Sequence, residues 1–102
     1  MDSKLIYQHI GLKIQYYRKQ MGLSQKYIAE KIGLQRTSLV NIEKGIQKIS
    51  VDKLYYLVDI LNIKISDLLP ENTEKLIKEI DLYSREEINE KTLNEVKKLI
   101  NS

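Results

Sequence analysis

A chain of 102 residues is long enough for one domain with a modest core, and 42% apolar with 30% charged residues is the balance of a globular protein rather than a disordered one. The absence of cysteine excludes disulfides and thiolate metal sites and fits a reducing cytoplasm, and no apolar run is long enough for a signal peptide or a membrane span. The net charge of +3 hides an asymmetry: residues 1–70 carry eleven Lys and Arg against six Asp and Glu, whereas residues 71–102 carry six against eight, so the basic part is the one suited to meet phosphate.

A first helix is expected from Ser3 or Lys4 to about Gln20. Ile6, Ile10, Ile14 and Tyr17 recur at helical spacing and define its core face. Leu5, His9, Leu12 and Tyr16 make a weaker second stripe. That stripe is either partly covered surface or a seat for the tail or a second subunit. Gly22 ends this helix.

From Leu23 to Gly45 the chain reads LSQKYIAEKIGLQRTSLVNIEKG, two short helices joined by a tight turn. Ser24 can cap the first of them, its hydroxyl accepting from an N–H that has no helical partner. Tyr27, Ile28 and Ile32 follow at helical spacing, and Gly33 stands where a left-handed residue stops the helix. The next helix is expected from Arg36 to Gly45. Leu39 and Ile42 point one way, while Arg36, Thr37, Val40, Asn41 and Lys44 occupy other faces; Thr37, Asn41 and Lys44 share one stripe. A helix held by its back, with a polar and cationic front, is what a DNA major groove accepts.

A short loop, Ile46 to Ile49, contains Gln47 and Lys48. Ser50 is expected to cap a fourth helix bearing Val51, Leu54, Tyr55, Leu57, Val58 and Leu61, with Asn62 as its left-handed stop. Ser66 is expected to cap a short fifth helix, Asp67 to Leu69, which Pro70 closes. No alternating, strand-like run occurs, so the fold class is all-α. Residues 71–102 form an acidic tail. Leu76, Ile77 and Ile80 suggest a short helix after Asn72. Ser84 and Glu87 form a capping box that opens a helix to about Ile100, with Leu93, Val96 and Ile100 at a 3–4 spacing. This tail is expected to fold back on the domain, to dimerise or to bind a partner protein; its plainer reading is a frayed end.

Residues 10–69 resemble the helix-turn-helix domain of the phage repressor and Cro family, the XRE-like proteins. The resemblance is carried by IGLKIQYYRKQMGLSQKYIAEKIGLQRTSLVNIEKG and SVDKLYYLVDILNIKISDLL, including the spacing of every glycine and cap. It implies a five-helix, lambda-repressor-like domain over residues 1–70 and says nothing of residues 71–102. It also implies roles. Gln25 bonds a phosphate and braces the first recognition residue; Arg36, Thr37 and Asn41 contact base edges. Ser24, Lys44 and Lys48 meet the sugar-phosphate backbone, and Ser38 is assigned with them. Arg18 and Glu43 form an internal salt bridge. Two residues depart from the pattern: Gln35 stands at the recognition-helix cap where the family prefers Ser or Thr, and Ile49 where many members have Pro. The first implies a turn held by core packing, the second a looser loop.

Chemistry supports these roles separately. Arg36 can fork two donors onto guanine O6 and N7, Asn41 can pair bidentately with adenine, and Thr37 and Val40 can offer methyl groups to thymine. Lys44 and Lys48 can neutralise phosphates. Arg36 and Asn41 also have a plainer reading as solvated surface residues, and Val40 most of all. The expected function is a sequence-specific regulator of transcription, a repressor binding double-stranded DNA as a homodimer. Its dimer contact would use Ile65 and Leu68, or Leu93, Val96 and Ile100 of the tail. An antitoxin or a restriction-modification controller would use the same domain, and an interaction module that had lost DNA would keep the fold. The lone His9 and the lack of any phosphate-loop, H-E-x-x-H or paired-carboxylate motif leave no catalytic site in view, and no cofactor or metal is expected.

Overall fold

The single proline of the chain is Pro70, so no ring interrupts a helix ahead of it. The computed structural model describes residues 3–72 and Lys78. It contains α1 (Ser3–Gln20), α2 (Gln25–Ile32), α3 (Arg36–Glu43), α4 (Val51–Leu61) and a single 3-10 turn, Ile65–Asp67. No strand occurs among the described residues. The described fold is therefore all-α with four α-helices, not five. The segment expected as a fifth helix, between the left-handed Asn62 (φ 54°) and Pro70, closes with i to i−3 bonds instead, from the Asp67 N–H to the Lys64 carbonyl at 2.9 Å and from the Leu68 N–H to the Ile65 carbonyl at 3.0 Å. Ser66, expected as its cap, sits inside the turn. The capping is done from the other end, by the carboxylate of Asp67 accepting from the Lys64 N–H at 2.9 Å.

The helices meet around Ile10 and Ile14 of α1, Ile28, Ala29 and Ile32 of α2, Leu39 and Ile42 of α3, and Leu54, Leu57, Val58 and Leu61 of α4. Ile49 and Leu68 complete this core from the connecting segments. Ile49 is 5% exposed, so the loop before α4, expected to be looser for lack of a proline, is anchored by an apolar side chain instead. Leu68 has no exposed surface at all. It was expected at a dimer contact; the 3-10 turn rotates it into the protein's own core, where it can offer nothing to a second copy.

Other expectations on the apolar faces divide. Ile6 and Tyr17 flank the buried Ile10 and Ile14 as partly covered residues. In the weaker stripe of α1, His9 and Leu12 are buried, and Leu5 and Tyr16 are half-buried. On α4, Val51 and Tyr55 lie on the flank of the buried stripe and are more than half exposed. Tyr27 of α2 is also exposed. The hydroxyl of Ser50 does not cap α4; it donates to the carboxylate of Asp52.

One close approach sets the position of α3. A Cβ on Gly11 would lie 2.6 Å from the carbonyl oxygen of Glu43 and 2.9 Å from its carbonyl carbon, and nearer still to the oxygen of Ile42. The backbone of α1 therefore rests directly on the last turn of α3. Only a residue without a side chain permits this.

Candidate nucleic-acid interface

The turn between α2 and α3 is built from local chemistry. The Ser24 hydroxyl accepts from the Tyr27 N–H at 3.0 Å, satisfying one donor of the first turn of α2. Gly33 takes φ 76°, a left-handed conformation in which a Cβ would be strained. The chain then reverses with the Leu34 N–H bonded to the Ala29 carbonyl at 2.8 Å. Gln35 makes no side-chain cap to α3. In place of a cap, Leu34 packs against the core and Leu39 is wholly buried. The orientation of α3 is thus set by what lies behind it.

With Leu39 and Ile42 inward, the opposite face of α3 is open. Arg36, Thr37 and Lys44 are exposed, and Ser38, Val40 and Asn41 are half-buried. Ser24 is exposed and Gln25 half-buried at the start of α2. Lys48 is exposed beyond α3, its ammonium 5.6 Å from the centre of the Tyr7 ring. The Asn41 carbonyl accepts from the N–H groups of Ile46 and Gln47 at 3.0 and 3.2 Å, which folds the Lys48 loop back over the end of α3.

Behind this front runs a chain of polar contacts. Arg18 donates from Nε to Glu43 Oε2 at 2.7 Å and from Nη2 to Glu43 Oε1 at 3.0 Å, and its Nη1 donates to the Leu23 carbonyl at 2.9 Å. Gln25 Nε2 donates to the same Glu43 Oε1 at 3.1 Å. Arg36 Nη2 in turn donates to Gln25 Oε1 at 3.3 Å. The pair of Arg18 and Glu43 ties α1 to α3, and Gln25 connects that pair to the exposed head of α3.

The structure brings Gln25 and Arg36 into contact at the head of α3, leaves Ser24, Thr37 and Lys44 exposed with Ser38, Val40 and Asn41 half-buried, and sets Lys48 over Tyr7. Ile65 is half-buried against the core. Leu93, Val96 and Ile100 lie outside the described residues. Two contributors escape a reading by motif. One is Tyr7, whose ring lies beneath the Lys48 ammonium. The other is Gly11, for which a signal existed: glycine inside a long helical pattern weakens the helix and marks a place where backbones meet.

Residues 14–68 match the helix-turn-helix family, more than half of the chain. The chain belongs to this family, in its XRE-type branch. The helix-turn-helix protein is 31% identical over 64 residues to an HTH-type transcriptional regulator of Archaeoglobus fulgidus, a match covering 63% of this chain and 91% of that one. Among solved structures it is similar to the restriction-modification controller protein C.AhdI from Aeromonas hydrophila, with a TM-score of 0.58 and 26% identity over 67% of this chain and all of that one. It is also similar to the DNA-binding domain of BldD, with a TM-score of 0.56 and 29% identity over 69% of this chain and all of that domain. The helix-turn-helix protein is a DNA-binding transcriptional regulator. No helix among its described residues is long and apolar enough to cross a membrane.

Proposed function

We propose that this regulator is a repressor that binds a pseudo-palindromic operator as a homodimer, with α3 of each copy in the major groove. The observation that carries the reading is the pairing of a buried back with an open front on one short helix: Leu39 and Ile42 face the core while Arg36, Thr37 and Lys44 face solvent. Arg36 reads guanine through two of its donors, Asn41 reads adenine, and Thr37 and Val40 meet thymine methyl groups. Ser24, Gln25, Ser38, Lys44 and Lys48 hold phosphates and set the register. One domain of this size reads few base pairs, so two copies with half-site centres about 34 Å apart are required for a useful operator. The candidates for the dimer contact are Ile65, or else the tail residues Leu93, Val96 and Ile100, which lie outside the described residues.

A second reading concerns the operon served. Similarity to C.AhdI over the whole of that controller protein supports a regulator of the restriction-modification type.

Selection of bound duplexes from a random pool tests the proposal. It should return two inverted half-sites at a constant spacing, and binding to the selected duplex should weaken steeply as salt rises. Recovery of a single unrepeated site, or of no preferred sequence, would overturn it.

A further inference from the structure

We propose that Glu43 dictates which end of the Gln25 carboxamide faces Arg36, so that the buried Arg18–Glu43 pair is a positioning device for base reading as well as a link between helices. The inference rests on the reading of Arg36 as a base-contacting residue.

A carboxamide has two ends of nearly equal shape and opposite hydrogen-bonding sense. At the half-exposed start of α2, Gln25 on its own could present either. An ionised carboxylate only accepts, and Oε1 of Glu43 stands 3.1 Å from the Gln25 side chain. That contact admits the NH2 end and turns the carbonyl end outward. The outward oxygen is the group that Arg36 Nη2 meets at 3.3 Å. The reversed amide would set its oxygen against the carboxylate and its NH2 against the guanidinium, two repulsions in place of two bonds. Glu43 can hold Gln25 because it is itself held: its side chain is 2% exposed and bonded twice by Arg18. The Leu23 carbonyl, at 2.9 Å, anchors Arg18 in turn. Arg36 thereby keeps one of its five donors on a fixed acceptor and turns the remainder toward the groove. Glu43 touches no base on this account; it acts through Gln25.

The test separates this positioning role from a purely structural one. The double variant Arg18→Met, Glu43→Leu replaces the buried pair with apolar side chains, a change that folded proteins tolerate, and removes the acceptor for Gln25. In the unbound protein, the two side-chain amide protons of Gln25 should lose the separation and slowed exchange of a bonded NH2 group. On duplexes differing only at the base read by Arg36, discrimination should fall about tenfold, the worth of one hydrogen bond, while affinity for an unrelated duplex holds. In a Gln25→Met background the same double variant should cause no further fall. Retained discrimination, or an equal further loss in the Gln25→Met background, would overturn the proposal. Gln25→Met alone leaves the Arg18–Glu43 pair in place and must itself lose the discrimination; if it does not, the relay has no role, whether or not the double variant folds. Unchanged discrimination in Arg36→Ala would instead sink the reading of Arg36 as a base contact, an outcome told apart by the Gln25 amide signals, which need no DNA.

Discussion

The guanidinium of Arg18 lies fork to fork against the carboxylate of Glu43, with contacts of 2.7 and 3.0 Å across the junction of α1 and α3. Both side chains are at least nine-tenths buried. Removing one partner strands the other's charge in the interior. Arg18→Met alone should therefore destabilise the fold by about 3–5 kcal/mol, whereas the companion change Glu43→Leu should recover most of that loss. Urea denaturation of the single and double variants checks both figures.

Gly11 is a close approach between the same two helices. Alanine is the better helix former by about 1 kcal/mol, so a helix considered alone would gain from Gly11→Ala. Here the new methyl group meets backbone carbonyls of Ile42 and Glu43 that no rotamer change can move aside. A net loss of about 1–3 kcal/mol is expected. DNA affinity should weaken with it, since the end of α3 must shift outward. Thermal melts together with duplex titrations decide the sign.

Leu68 closes the core from the 3-10 segment. Leu68→Ala should lower stability by about 2–5 kcal/mol through the cavity it leaves. At concentrations where the variant is folded, sedimentation should show the association of the unaltered protein. A weaker dimer with unchanged stability would contradict the burial of this residue.

Arg36, at the start of α3, and Lys44, just past its end, are both exposed, yet their expected roles differ. Arg36→Ala should lose about 1–3 kcal/mol on the cognate duplex and relax preference at one position. Lys44→Ala should weaken all sequences alike and flatten the salt dependence by about one phosphate contact. Titrations on cognate and scrambled duplexes at several salt concentrations separate the two.

Asp52 provides a test of the start of α4. The Ser50 hydroxyl donates to its carboxylate and holds its pKa below the ordinary value, with Lys53 nearby assisting. A folded-state pKa below the unfolded one means that this contact stabilises the protein above the unfolded value and that the contribution is lost as pH falls through the folded value. Ser50→Ala should move the Asp52 titration upward, toward that of a free carboxylate, as followed by NMR of the side-chain carboxyl carbon.

The four helices, their stops at Gly33 and Asn62, and the inward set Ile28, Ile32, Leu39 and Ile42 were legible in the chain. Each depends on neighbours within one or two turns: apolar residues at helical spacing, a capping hydroxyl at Ser24, a residue that accepts a positive φ. The polar and cationic front of α3 was legible for the same reason, since a helix with one buried face must expose the other. What only the tertiary structure decided involves residues distant in the chain. Ile49 found a place in the core and tethered a loop expected to be loose. Leu68, which follows a single 3-10 turn rather than sitting on a fifth helix, is buried in the core that all four helices share. The contact of Gly11 with Glu43, and the orientation that Glu43 imposes on Gln25, require α1 and α3 to be docked before either exists. Local periodicity reports the face that a helix buries. The atoms that meet across that face are set by docking, because backbone contacts and the two-ended geometry of a carboxamide have no spacing in the chain to announce them.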